Sequence, residues 1–250
     1  MISVLVAILT SEKIEKLIRC IESVLSQTEE VIVVCNTLDT SYVEQARKIA
    51  KAYNLEFIVT ESNGKPAKGK NSVLEIFRSR SQFKYYMQID GDDYLTPDAL
   101  SEIATIVQQN PDVDVIGAQG GRLIYNGATT TGKQFFIEYL ANVNDEQRSR
   151  LIDLGKFLTA NLQESRMLLY SKKVVNTFNF DETFNGLEDV VGAYKLYYNR
   201  DIKFILTNED LYVYDLEDNG NFYEFLNNSN GIEKVFQALK VIVNEPRTQN

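Results

Sequence analysis

The chain has 250 residues, of which 44% are hydrophobic and 24% charged, with a formal net charge of −9; it can bury a substantial core and has an ordinary globular make-up. The acidic balance argues against a broad nucleic-acid surface or a basic membrane patch, which need clustered Lys and Arg. The chain contains no histidine, which excludes Ser-His-Asp and Cys-His catalysis and leaves proton transfer to carboxylates, Lys, Tyr or Cys, and any hard metal to oxygen ligands.

The first half alternates between short apolar runs and amphipathic segments. "ISVLVAIL" (2–9) reads as a buried strand. It lacks the basic region and cleavage site of a signal peptide, and no apolar run approaches the ~20 residues of a membrane helix, so a cytoplasmic protein is expected. Ser11 is placed to cap a helix whose Ile14, Leu17, Ile18, Ile21, Val24 and Leu25 form one stripe. Strands follow at 31–34, 56–60 and 85–89, with helices from about Tyr42 to Tyr53 and around Val73, Leu74 and Phe77. Thr96 and Pro97 read as N-cap and first residue of a further helix. The second half is less regular: "VDVIGAQ", "RLIYN", "RMLLYS", "FILT" and "LYVYDL" look extended, while 144–157, 187–198 and 232–243 look helical. Cys20 and Cys35 have no metal spacing and read as small buried hydrophobes. Strands alternating with helices predict an α/β fold, a mainly parallel sheet covered on both faces, in one domain. Ligands of such sheets bind beyond the carboxyl ends of the strands.

"QIDGDD" (88–93) ends a strand at that rim. Asp90 and Asp92 share one side of an extended chain, and Gly91 lets the backbone bend and a ligand come close. A divalent cation, Mn²⁺ or Mg²⁺, is the natural counter-charge and shares its shell with phosphates. The plain alternative is an acidic turn that caps the next helix. "GKPAKGKN" (64–71) carries three lysines in six residues and suits phosphate, although a solvated lysine loop has the same composition. In "FNGLEDVV", Glu188 and Asp189 open a helix, where the dipole favours ionised acids; they stabilise the helix there, or one accepts a proton.

Taken in order, these segments resemble family 2 glycosyltransferases with the GT-A fold. The likeness is carried by "CIESVLSQT" from Cys20, Gly64-Lys65 with Lys70-Asn71, "QIDGDDYLTPDAL" as the DxD segment, and "NFDETFNGLED" (179–189). It spans residues 2 to about 200. The resemblance implies a Rossmann-like GT-A domain over 1–250, with a nucleotide-binding half to about 95, an acceptor half to about 229 and a C-terminal helix at about 230–244. It implies inverting transfer from a nucleotide-sugar, usually a UDP-sugar, to an acceptor hydroxyl on a glycan or another molecule. Asp189 is then the base, with Glu188 beside it. Thr10, Asn36, Asp39, Lys65, Lys70, Asn71, Asp90 and Gly91 would meet the nucleotide, and Asp90, Asp92, Asp93 and Asp215 would hold the metal. The chain departs from the family in three places. "AILTSE" replaces the opening turn, Asn36 stands where an aspartate reads the base, and no late His is present, for which Asp215 is the substitute. Without membrane helices, a processive synthase that exports its product is not expected.

Three other readings compete. A haloacid-dehalogenase-type phosphohydrolase also uses DxD, but on its first strand. A sugar-nucleotide-binding protein without turnover fits the altered "CNTLD". A nicotinamide oxidoreductase needs G-x-G-x-x-G after the first strand, and "AILTSEK" has no glycine.

Overall fold

The computed structural model describes residues 2–119, 122–125, 127–162, 165–184, 186–216 and 229–244. In chain order the first elements are β1 (Val4–Thr10), α1 (Ile14–Leu25), β2 (Val31–Cys35), α2 (Thr40–Ala52), β3 (Glu56–Val59), α3 (Pro66–Ser79), β4 (Tyr85–Asp90), β5 (Tyr94–Leu95) and α4 (Ala99–Gln109). Then come β6 (Val115–Gln119), β7 (Arg122–Tyr125), β8 (Ala128–Thr130), α5 (Gly132–Ala141), α6 (Asp145–Ala160), β9 (Ser165–Ser171) and α7 (Lys172–Thr177). The described elements close with α8 (Glu188–Tyr197), β10 (Phe204–Thr207), β11 (Tyr212–Leu216) and α9 (Ser229–Asn244).

Alternation along β1 sets the layers. Val4, Val6 and Ile8 join one core with Leu17, Ile21 and Val24 of α1 and Ile103 of α4. Leu5, Ala7 and Leu9 join the other, with Val73, Leu74 and Phe77 of α3 and Val190 and Val191 of α8. A strand buried on both faces has no polar side to spare, which is why β1 reads as a continuous apolar run.

The seven-stranded sheet has the order β10-β6-β9-β4-β1-β2-β3. The chain moves outward from β1 through β2 to β3, then returns to place β4 on the other side of β1. That reversal makes a topological switch point at the carboxyl ends of β1 and β4, where open α/β sheets bind ligands. β9 runs antiparallel to both β4 and β6. A second sheet, β5-β11-β7-β8, closes over the same end.

Two expected caps are placed otherwise. α1 starts only after Lys13, which sits in the left-handed region at φ 58°, so Ser11 does not cap it. α4 likewise starts after Asp98 at φ 62°. Thr96 is spent elsewhere, its hydroxyl donating to the Asp210 carbonyl and its N–H to that of Leu211. The extended "RLIYN" stretch supplies β7, and β8 and the start of α5 follow it. Residues 217–228, with the "NGNFYEFLNN" stretch, lie outside the described residues. No helix among the described residues is long and apolar enough to cross a membrane.

Candidate active site

β4 delivers Asp90 to the rim, opposite Leu9 of β1. The chain then turns tightly: Gly91 N–H donates to the Leu9 carbonyl at 2.8 Å and Asp93 N–H to that of Asp90 at 3.0 Å. A Cβ on Gly91 would lie 2.8 Å from Thr10 Cβ and 2.9 Å from its Oγ1. Gly91→Ala therefore overpacks the turn and should cost about 1–3 kcal/mol, read as a lower urea midpoint at unchanged slope. A midpoint equal to wild type would show that the strands part without cost.

Helix α1 holds this turn by its backbone. Cys20 and Ser23 fall on one helical face, and Gln27 follows in the turn just past the end of the helix. Cys20 Sγ donates to the Asp90 carbonyl at 3.6 Å, and Ser23 Oγ accepts the Leu95 N–H at 3.1 Å. Gln27 accepts the Leu100 N–H at 2.9 Å and donates to the Thr96 carbonyl at 3.0 Å. The "C-x-x-S-x-x-x-Q" spacing is thus a clamp on residues 90–100.

The same helix brings cations to the carboxylates. Lys13 Nζ donates to Asp92 Oδ2 at 2.9 Å. Lys16 meets Asp215 Oδ1 at 3.0 Å, and Arg19 pairs with Asp215 Oδ2. Asp93 faces inward and is 0% exposed. Its Oδ1 accepts the Asp215 N–H at 2.9 Å; its Oδ2 accepts from Arg166 at 3.1 Å and from the Tyr212 hydroxyl. Burial, then Asp92, push its carboxyl well above the ordinary range, against Arg166. The four carboxylates expected around one metal are therefore not gathered at one point. Asp93 staples β11 to the turn, Asp215 belongs to Lys16 and Arg19, and Asp90 and Asp92 remain partly open, at 28% and 25% side-chain exposure. Among the described residues no group of three or more His, Cys, Asp or Glu is arranged to hold a metal.

The helix carrying Glu188 and Asp189 begins after Leu187, at φ 53°. Glu188 turns inward, where its Oε1 lies 2.5 Å from Lys70 Nζ with both side chains buried. Asp189 faces the rim: Oδ1 accepts the Val190 N–H at 2.8 Å and Oδ2 accepts from Arg166 Nη1 at 3.0 Å. Burial pushes its carboxyl up, but Lys70 and Arg166 outweigh that and hold it below the usual range. The stability tied to its ionisation is complete above the ordinary carboxylate pKa of ~3.9 and is lost as pH falls through the lowered value. Lys70, Asp90, Arg166, Tyr170, Asp189 and Tyr212 line one recess.

Several residues expected at the nucleotide spend their polar groups within the protein. Asn36 is 3% exposed; its Oδ1 accepts from Ser62 and its amide donates to the Lys65 carbonyl at 3.4 Å. Asn71 accepts the Phe180 N–H at 2.8 Å and donates to the Phe180 carbonyl and to Glu182, each at 3.0 Å. Thr10 Oγ1 bonds the Tyr42 hydroxyl, and Asp39 caps α2 through the Ser41 and Tyr42 N–H groups. Lys65 precedes α3 and is exposed. "Lys68-Gly69-Lys70-Asn71" is helix and not loop, and Lys70 shares the inner face with Val73, Leu74 and Phe77.

Arg166 was not foreseen. β9 runs antiparallel to β4, pairing Tyr85 with Ser171 and Tyr86 with Tyr170, and its other end brings Arg166 Nη1 to 3.3 Å from Asp90 Oδ2.

Residues 3–177 match the family described as "Glycosyl transferase family 2". The chain belongs to glycosyl transferase family 2. That match ends before Glu188 and Asp189. Among curated relatives of this family 2 chain, the uncharacterized protein y4gI of Sinorhizobium fredii (strain NBRC 101917 / NGR234) is 27% identical over 116 residues, covering 44% of this chain and 12% of that protein. The chain thus spans a small fraction of the relative's length. S. aureus TarS 1–349 in complex with UDP-GlcNAc superposes with a TM-score of 0.66 and 16% identity, over 98% of this chain and 68% of that one. The mannosyltransferase PcManGT from Pyrobaculum calidifontis, in complex with GDP-Man and Mn²⁺, gives 0.59 and 12%, over 97% and 70%. At these identities the likeness establishes the shared GT-A fold of the family 2 chain.

Proposed function

We propose that this chain transfers a glycosyl group, with inversion, from a nucleotide-sugar to the hydroxyl of a glycan or another acceptor. The observation that carries the reading is the placement of Asp90 and Asp189 on one recess at the switch point of the sheet. Membership of family 2 supports glycosyl transfer. The donors named for the structural neighbours, UDP-GlcNAc and GDP-Man, support a nucleotide-sugar donor, and a UDP-sugar is the first to test.

The donor set fits Mn²⁺ or Mg²⁺ in one mode. Of the four carboxylates expected at a metal, Asp90 and Asp92 are the two left partly open, and an ion held by two carboxylates completes its shell with phosphates and water. Bound there, the ion would offset charge on the leaving diphosphate. Lys65, exposed ahead of α3, stands ready for a phosphate. Asp189, ionised at neutral pH, receives the proton of the acceptor hydroxyl as that oxygen bonds the anomeric carbon. The bond to the diphosphate breaks on the opposite face, and its electron pair leaves with the nucleotide. A diphosphate departs without needing a proton, so one carboxylate base suffices.

The test is a donor screen by melting temperature and by hydrolysis of the nucleotide-sugar with Mn²⁺. At a hundred times Kd a ligand adds about 2.7 kcal/mol, which raises Tm by several degrees in a chain of this size. Excess EDTA should remove most of that rise, and Asp92→Ala should lose the metal-dependent part. If the protein saturated with Mn²⁺ or Mg²⁺ has no affinity for any nucleoside diphosphate, the reading fails. Binding without hydrolysis or transfer would favour the reading without turnover.

A further inference from the structure

Arg166 sits where three elements meet. Its Nη1 lies 3.3 Å from Asp90 Oδ2 at the end of β4 and 3.0 Å from Asp189 Oδ2 at the start of α8. Its Nη2 lies 3.1 Å from Asp93 Oδ2. The guanidinium carbon is 4.9 Å from the ring centroids of both Tyr212 and Tyr214 on β11. Burial alone would lower its pKa, but Tyr212, Asp90, Asp93 and Asp189 outweigh that and keep it charged.

One carboxylate would neutralise one guanidinium. This one is shared among three, from two separate segments of the chain. Its donors lie in a rigid plane, and two aromatic rings hold that plane, so the angles at which Asp90 and Asp189 meet it are fixed together. Asp189 also has its other oxygen tied to the Val190 N–H. Each oxygen is thus held on one side, Oδ2 by Arg166 and Oδ1 by its own helix, which fixes the plane of the carboxylate. A lysine here would supply charge without the planar fork.

We propose that Arg166 is a positioning residue for the transfer step: its single planar cation ties the proton acceptor, Asp189, to the donor-side carboxylate Asp90, so that seating the donor also sets where the acceptor's proton is received. This rests on the transferase reading above. It predicts an effect on turnover transmitted through Asp189 and little effect on donor affinity. A misplacement of about 1 Å in such an arrangement costs on the order of a hundredfold in rate.

The experiment is a kinetic double-mutant cycle on the full chain with Mn²⁺ and the donor selected by the screen. Arg166→Met should lower kcat about a hundredfold and change the donor KM less than about threefold. Arg166→Lys should recover part of that loss. In an Asp189→Asn background, Arg166→Met should cost less than about threefold more, because the group it positions is already disabled. Equal losses in both backgrounds would overturn the proposal, as would an Arg166→Met enzyme with unchanged kcat, or a loss confined to KM. If Arg166→Met does not melt cooperatively, Arg166→Lys in the two backgrounds carries the same comparison. A wild-type protein that turns over no nucleotide-sugar overturns the transferase reading itself, and the silence of the wild type tells that failure from the others.

Discussion

Asp189→Asn should abolish most sugar transfer while leaving nucleotide binding within about twofold of wild type. Asparagine keeps the shape but offers one acceptor oxygen in place of two, so it keeps either the Val190 N–H or the Arg166 contact, and it cannot take a proton at neutral pH. A positioned general base contributes typically 10²–10⁴-fold, so kcat should fall by about that factor. The measurement is initial-rate transfer alongside calorimetric titration of the nucleoside diphosphate. Normal transfer by Asp189→Asn would remove Asp189 from the base role. Glu188 is poorly placed to take over, because it is buried against Lys70 on the inner side of the helix.

That buried pair gives the largest expected stability effect. Lys70 and Glu188 have side-chain exposures of 9% and 5%. Burial by itself would drive the Lys70 ammonium down; Glu188 and then Asp189 outweigh it and raise it. Its stabilisation is full below the ordinary lysine pKa and is lost only as strongly alkaline pH passes through the raised value. Lys70→Met leaves Glu188 buried without its partner, which typically costs about 3–5 kcal/mol. Lys70→Met with Glu188→Leu should recover most of that, because a well-packed apolar pair in place of a buried ion pair is often neutral or better. Urea unfolding of the two variants checks both statements. A single variant that loses under about 1 kcal/mol would mean that water reaches Glu188. If the double variant is stable and binds nucleotide normally, Lys70 acts in folding and not on phosphate.

The repeating half of the chain was legible because burial on two faces leaves a plain apolar record. β1, β2 and β4 lie within a residue or two of where the runs of apolar residues put them. The place of the acidic turn was legible too, since an apolar run that gives way to glycine and carboxylates marks a strand end, and β4 does end at Asp90. The direction of β9 was not. "RMLLYS" says strand, but nothing local says that it enters from the rim, and on that direction hangs the placement of Arg166. Lys70 could have been read better. Lys70, Val73, Leu74 and Phe77 follow the i, i+3, i+4, i+7 pattern of one helical face, so a lysine inside the core with a buried partner was available from the spacing. The caps failed for a different reason. Ser11 and Thr96 have the right side chains, but left-handed residues at Lys13 and Asp98 delay both helices.

The clamp made by Cys20, Ser23 and Gln27 means that the acidic shelf is ordered when the protein folds. Two side chains of α1 and one from the turn that follows it hold its amides and carbonyls from behind. The backbone that carries Asp90 is therefore set before any ligand arrives, and the entropy of ordering it is not charged against affinity. Under the transferase reading, a shelf preset in this way treats every nucleoside diphosphate alike, so discrimination between one sugar and another would come from parts of the pocket that this helix does not hold.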